Sequence, residues 1–186
     1  MVSLWSGSYA ILMAMRRLMV VLFAAVVAVV VAPAPARAAT GGGWVPAPSA
    51  PVDVPAGVLC DFPMHSEPLV DEVRTRVLAT HPDGSPKRQA FVGDLVVRVT
   101  NTATGAYVDV NASGSGLVVV QPGGTPTRNS TWYAVGPAGF GFREGGGDHP
   151  RGMWVFDGVY TVAFDANSYK RVTIYHGSER NICTEL

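Results

Sequence analysis

The stretch Leu95-Val96-Val97-Arg98-Val99-Thr100-Asn101-Thr102-Ala103-Thr104-Gly105-Ala106-Tyr107-Val108-Asp109-Val110-Asn111 decides the fold class. Leu95 to Asn101 is rich in β-branched side chains, which fit a pleated, half-buried surface. Asn101 to Gly105 is a short loop that ends in glycine, the residue that turns a hairpin most easily. Tyr107 to Asn111 then reads as the strand that pairs back.

Outward from this hairpin the same grammar repeats. Upstream, Glu72 to His81 alternates Val73, Thr75, Val77 and Ala79 against Arg74, Arg76 and Leu78. Pro82-Asp83-Gly84-Ser85-Pro86 is a turn, with Pro fixing φ and Gly supplying a positive φ. Arg88 to Val92 leads into the hairpin through Gly93, read as a break or bulge. Val58 to Phe62 opens the series, and Pro68 to Thr75 has room for one helical turn. Downstream, Ser113 to Gly116 turns and Leu117 to Gln121 runs on to the turn Pro122-Gly123-Gly124-Thr125-Pro126. Trp132 to Val135, Phe140 to Arg143, Met153 to Phe156, Val159 to Phe164 and Arg171 to His176 follow, with turns at Asp157-Gly158 and Asp165-Ala166-Asn167. About ten short strands at even spacing predict an all-β domain over residues 58–186, an antiparallel sandwich or barrel.

The rest of the chain has a different composition. Residues 39–57 hold Gly41-Gly42-Gly43 and Pro46, Pro48, Pro51 and Pro55, which predicts a flexible spacer with extended, polyproline-like stretches. Trp44 stands alone in it. Residues 1–38 read as a signal peptide: Arg16-Arg17, then Leu18 to Val31 without a polar side chain, then Ala32-Pro33-Ala34-Pro35-Ala36-Arg37-Ala38 with a small-residue cleavage pattern. The apolar run is shorter than the ~20 residues that cross a bilayer. Cleavage near Ala39 is therefore expected, with no permanent membrane anchor and a secreted product, extracellular or cell-wall associated. Met1 to Ala14 carries no charge, so Met13 or Met15 makes a more usual start. The arginine pair also resembles part of a twin-arginine export signature, although Met15 precedes it and Leu18-Met19-Val20 follows.

Charge narrows the partners. The chain has fourteen bases and fourteen acids. Arg16, Arg17 and Arg37 lie in the leader and no acid does, so the mature part has eleven bases against fourteen acids. No basic stripe remains to follow a phosphate backbone, which excludes a nucleic-acid partner and leaves an extracellular or cell-wall one. The two cysteines, Cys60 and Cys183, stand near the two ends of the folded part. In an exported chain such a pair is expected to form a disulfide.

Three segments carry a resemblance: Gly57-Val58-Leu59-Cys60-Asp61-Phe62-Pro63, Val97-Arg98-Val99-Thr100-Asn101-Thr102-Ala103-Thr104-Gly105, and Asn181-Ile182-Cys183-Thr184-Glu185-Leu186. Together they resemble a group of small secreted actinobacterial proteins of unknown function, with a Cys-Asp/Gly-Phe-Pro opening, a V-x-V-T-N-x-x-T-G hairpin and a cysteine near the C-terminus. The resemblance implies an all-β fold with both end cysteines. It carries no activity and assigns no catalytic residue.

No motif names a reaction. G-x-S-x-G, the Walker A pattern and H-E-x-x-H are all missing, and Gly139-Phe140-Gly141 to Gly145 lies between strands with the wrong spacing for a dinucleotide loop. Of His65, His81, His149 and His176, only His149 sits beside a carboxylate in an apparent loop, as Asp148-His149. It reads as a solvated loop residue, and so does His65 with Glu67. A zinc site needs three or four convergent donors, so neither a metal nor another cofactor is expected. Trp132 and Tyr133 cannot both face inward on one regular strand, so one is a surface aromatic. Asn111-Ala112-Ser113 and Asn129-Ser130-Thr131 match the glycosylation sequon by chance. Three functions stay open. A secreted, non-catalytic β-domain with a binding or structural role comes first. A secreted hydrolase with an unrecognised site requires a cleft with carboxylates or histidines in hydrogen-bond range. An inhibitor acting through loops requires a projecting, braced loop.

Overall fold

The structure is a computed structural model and describes residues 42–186. The expected signal peptide, residues 1–38, and residues 39–41 of the expected spacer lie outside the described residues. Twelve strands follow one another: β1 (Val45–Pro46), β2 (Val52–Val54), β3 (Met64–Asp71), β4 (Arg74–Thr80), β5 (Pro86–Val92), β6 (Leu95–Asn101), β7 (Tyr107–Asn111), β8 (Ser115–Thr125), β9 (Arg128–Val135), β10 (Ala138–Phe142), β11 (Gly152–Phe164) and β12 (Lys170–Asn181). A 3-10 turn, Ile182–Thr184, comes after β12. Every strand pairing is antiparallel. The large sheet runs β1-β4-β5-β8-β9-β11-β10, with β12 also on β11; the small sheet runs β2-β3-β6-β7. Neither closes into a barrel, and the fold is a β-sandwich.

The hairpin β6–β7 forms as its sequence predicts. Val97 pairs with Val110 and Val99 with Val108 on the inner face, while Arg98 pairs with Asp109 and Thr100 with Tyr107 on the outer face. Gly105 takes φ 80° at the end of the loop, and its N–H donates to the Asn101 carbonyl at 2.8 Å. Asn101 is buried. Its Oδ1 accepts from Ala103 N at 3.0 Å and its Nδ2 donates to the Leu186 carbonyl at 3.3 Å. One side chain thus satisfies the tight loop and ties the small sheet to the C-terminal segment, as a buried amide must.

β11 organises the large sheet. Its first part, Gly152 to Phe156, pairs with β10; its last part, Val159 to Phe164, pairs with β9; β12 pairs with both parts. The bend between them is at Gly158, opposite Gly177, with φ of 128° and 138°. A Cβ on Gly158 would strike the His176 carbonyl, and one on Gly177 the Asp157 carbonyl. Only glycine allows the two backbones this close at these angles. The two parts of β11 share an aromatic core of Phe142, Phe156, Tyr160, Val162 and Phe164, with Trp132, Phe140 and Trp154 at its margin. A second core joins Val155 and Ile182 to Cys60, Met64, Val99 and Val110 under the small sheet. Val155 and Phe156 are both buried because β11 is covered on both faces there. Each such side chain contributes on the order of 1.5–3 kcal/mol by leaving water.

The disulfide Cys60–Cys183 is formed, with Cα atoms 5.3 Å apart. It joins the turn after β2 to the 3-10 turn after β12. Cys60 lies in a turn whose Gly57 N–H donates to the Cys60 carbonyl at 2.7 Å, so Val58 to Phe62 is not the strand its sequence indicates.

Other elements also depart from the reading. The strand Met64–Asp71 replaces the helical turn expected in Pro68 to Thr75. His65, Glu67 and Pro68 hide its alternation, and a register shift between Pro68 and Val70 breaks the pattern further. Pro68 lies beyond the reach of β2, whose pairing stops at Ser66, so no partner on that side needs its missing N–H. β1 and β2 fall inside the stretch read as spacer; both are very short and lie at sheet edges, where valine–proline sequence is tolerated. Asp157-Gly158 is a bend within one long strand instead of a turn. β8 likewise continues through Pro122-Gly123-Gly124 to Thr125.

Candidate functional site

The loop between β10 and β11, residues 143–151, holds the Asp148-His149 pair. It lies flat on the start of β12: Asp148 N donates to the Lys170 carbonyl at 2.9 Å, and Lys170 N donates to Gly146 O at 3.0 Å. Asp148 Oδ2 accepts from Val172 N at 2.9 Å. His149 is turned inward, its side chain only 15% exposed, so it is not the solvated residue its sequence context implies. Its Nδ1 is 2.8 Å from Asp148 Oδ1 and its Nε2 is 2.9 Å from Glu179 Oε2. The rings of Phe142, Trp154 and Phe156 stand 5.0–5.1 Å from it, centroid to centroid.

Two carboxylates can each accept from the same imidazole only when both ring nitrogens carry protons. Burial among the aromatics pulls the His149 pKa down, but the hydrogen bonds and charges of Glu179 and Asp148 outweigh it and hold it above the ordinary value. The group is an imidazolium clamp that fastens the loop to β12. With both nitrogens engaged, neither is available as a general base. Sequence reasoning missed Glu179 because it lies thirty residues away and only the β11–β12 pairing brings it near.

His65 repeats the theme on the outer face of the small sheet. Its Nδ1 is 2.7 Å from Asp53 Oδ1, with Glu67 3.9 Å from Nε2. The Asp53 hydrogen bond raises its pKa. Arg98 beside it makes a two-point contact with Asp109 at 2.8 and 2.9 Å and stacks 4.1 Å over the Tyr107 ring. His81 Nε2 lies 2.9 Å from the Val120 carbonyl, and His176 is exposed on β12. Among the described residues no group of three or more His, Cys, Asp and Glu side chains is placed to hold a metal ion.

A different feature has the form of a binding site. Where the chain crosses from β7 to β8, a cavity of about 270 Å³ opens between the sheets. Phe91, Trp132 and Phe140 line it together with the small residues Ala112, Gly114, Gly116, Ala138 and Gly139. No ionisable side chain lines it; Ser49 and Ser115 are its exposed hydroxyls. Phe91 stacks on Trp132 at 5.1 Å, and Phe140 meets Trp132 edge-on at 6.3 Å. The Trp132 indole N–H is committed to the Pro126 carbonyl at 2.6 Å, which fixes the ring and leaves only its apolar surface for contact. Of the Trp132–Tyr133 pair, Tyr133 is the surface aromatic, 52% exposed.

Comparison of the chain with protein-family models, with curated proteins and with solved structures found no match.

Proposed function

We propose that this is an exported, non-catalytic binding domain that takes an uncharged apolar ligand between its sheets. The observation that carries the reading is the cavity at Phe91, Trp132 and Phe140: apolar, lined by these aromatics and by small residues, and free of ionisable side chains. Ligand pockets are concave and mostly apolar, with few polar groups. An apolar cavity of ~150 Å³ accepts a benzene ring, so one near 270 Å³ suits about two fused rings. The disulfide agrees with a working place outside the cell. Kinship with the small secreted actinobacterial proteins belongs to the same proposal. The motif residues Cys60, Asn101 and Cys183 serve the fold, which suits a group that shares a scaffold. The hydrolase reading is weakened by His149, whose nitrogens both face carboxylates.

The test is fluorescence titration with N-phenyl-1-naphthylamine, an uncharged reporter that carries two fused rings and a pendant phenyl. One saturable site with micromolar affinity is expected. Ala138→Leu, which fills the cavity, should weaken binding at least tenfold while leaving the melting temperature within a few degrees. No saturable binding, or equal binding by a folded Ala138→Leu variant, refutes the proposal.

A further inference from the structure

A second cavity, of about 460 Å³, lies beneath the edge strand β2. Its apolar contributors come from consecutive parts of the chain: Val52 and Val54 of β2 and Leu59 of the following turn. Its charged contributors, Arg143 and Lys170, come from the first residue of the β10–β11 loop and the start of β12. Val52 pairs with Ser66, and Ser66 with the fully buried Val99, so Val52 projects from the inner face of the small sheet. Yet it is 51% exposed. This inward-facing valine is half exposed where it lines the wall of the cavity.

The cations opposite are also incomplete. Among the described residues neither Arg143 nor Lys170 belongs to an ion pair. Lys170 is partly buried, with its ammonium 5.3 Å from the Phe142 ring centre and 5.7 Å from that of Phe164. Burial and the neighbouring Arg143 charge both disfavour its charged form, and no acid offsets them. A partly desolvated ammonium with a second cation beside it attracts an anion more strongly than an isolated exposed one does.

We propose that this cavity binds an anionic amphiphile, a carboxylate on a hydrocarbon tail. The tail lies along Val52, Val54 and Leu59. The carboxylate accepts hydrogen bonds from the Arg143 guanidinium and the Lys170 ammonium, completing their charge. Apolar wall and cation pair each account for half of such a molecule, and neither accounts for a neutral or a fully polar one. The site is separate from the aromatic cavity and shares no lining residue with it, so the two proposals succeed or fail apart.

Calorimetric titration of the purified protein at pH 7 with decanoate, decanol and acetate tests it. Decanoate should bind one to one, decanol at least tenfold more weakly, and acetate not measurably. Arg143→Glu changes an exposed side chain and should reduce decanoate affinity at least tenfold while leaving decanol unchanged. Lys170→Met should act in the same direction, with its folding checked by melting. Decanoate should not displace N-phenyl-1-naphthylamine from the aromatic cavity. Equal binding of decanoate and decanol, wild-type decanoate affinity in Arg143→Glu, displacement of the neutral reporter, or no decanoate binding overturns the proposal.

Discussion

His149 makes the domain's stability depend on pH in a defined direction. Its folded-state pKa lies above the ordinary value of about 6.5. The clamp therefore contributes fully below the unfolded value, and its contribution is lost as pH rises through the folded one. Hydrogen bonds to charged groups are worth about 1.5–3 kcal/mol, less where the partners are partly solvated; Asp148 and Glu179 are 31% and 38% exposed. His149→Gln should cost about 1–2 kcal/mol at pH 6. The melting-temperature gap between wild type and His149→Gln should shrink from pH 6 to pH 9, and a gap constant over that range refutes the clamp. The Asp148-His149 half of this group is legible in the sequence as adjacent residues. The third member is not, because no local signal links residue 149 to residue 179. The inward turn of the ring is also set by Phe142, Trp154 and Phe156, which sit on two different strands.

Among the elements, β11 and β12 show where local grammar fails. Glycine after aspartate marks a tight turn and a bent strand alike, and Asp157-Gly158 is the second kind. What separates the two cases is the partner: Gly177 approaches Gly158 across the ladder, and nothing in either segment alone announces it. The hairpin β6–β7 is legible because its partners adjoin in sequence and its turn is spelled out between them. β2 and β3 are hidden for the opposite reason, one too short and the other interrupted by polar residues and a proline. The Gly158 geometry yields a direct test. Gly158→Val needs a strained φ and collides with the His176 carbonyl, at a cost above about 3 kcal/mol. Its melting temperature should fall by roughly 6–12 °C. Gly84, also at positive φ but with nothing within 4 Å of an added Cβ, serves as control. Gly84→Ala should cost only the backbone strain, about 1–2 kcal/mol.

At the scale of the molecule, all-β class and the Cys60–Cys183 bridge are readable from composition, turn spacing and cysteine count. The assembly of the aromatic core under the large sheet is not, since it depends on one strand changing partners midway. The bridge spans 123 positions. Chain entropy assigns nearly 5 kcal/mol to a loop of that order, a large share of the ~5–15 kcal/mol that a domain possesses. Reduction should lower the melting temperature by roughly 10–20 °C while far-UV circular dichroism keeps its β signature; an unchanged melting temperature refutes a stabilising role. Because the bridge joins the turn before β3 to the turn after β12, almost the whole domain lies within one covalent ring. A protease that severs any single loop between residues 60 and 183 opens the ring without releasing a fragment, and both pieces stay tethered in their native places. Wherever proteases are abundant, one such cut is a scar and not a loss.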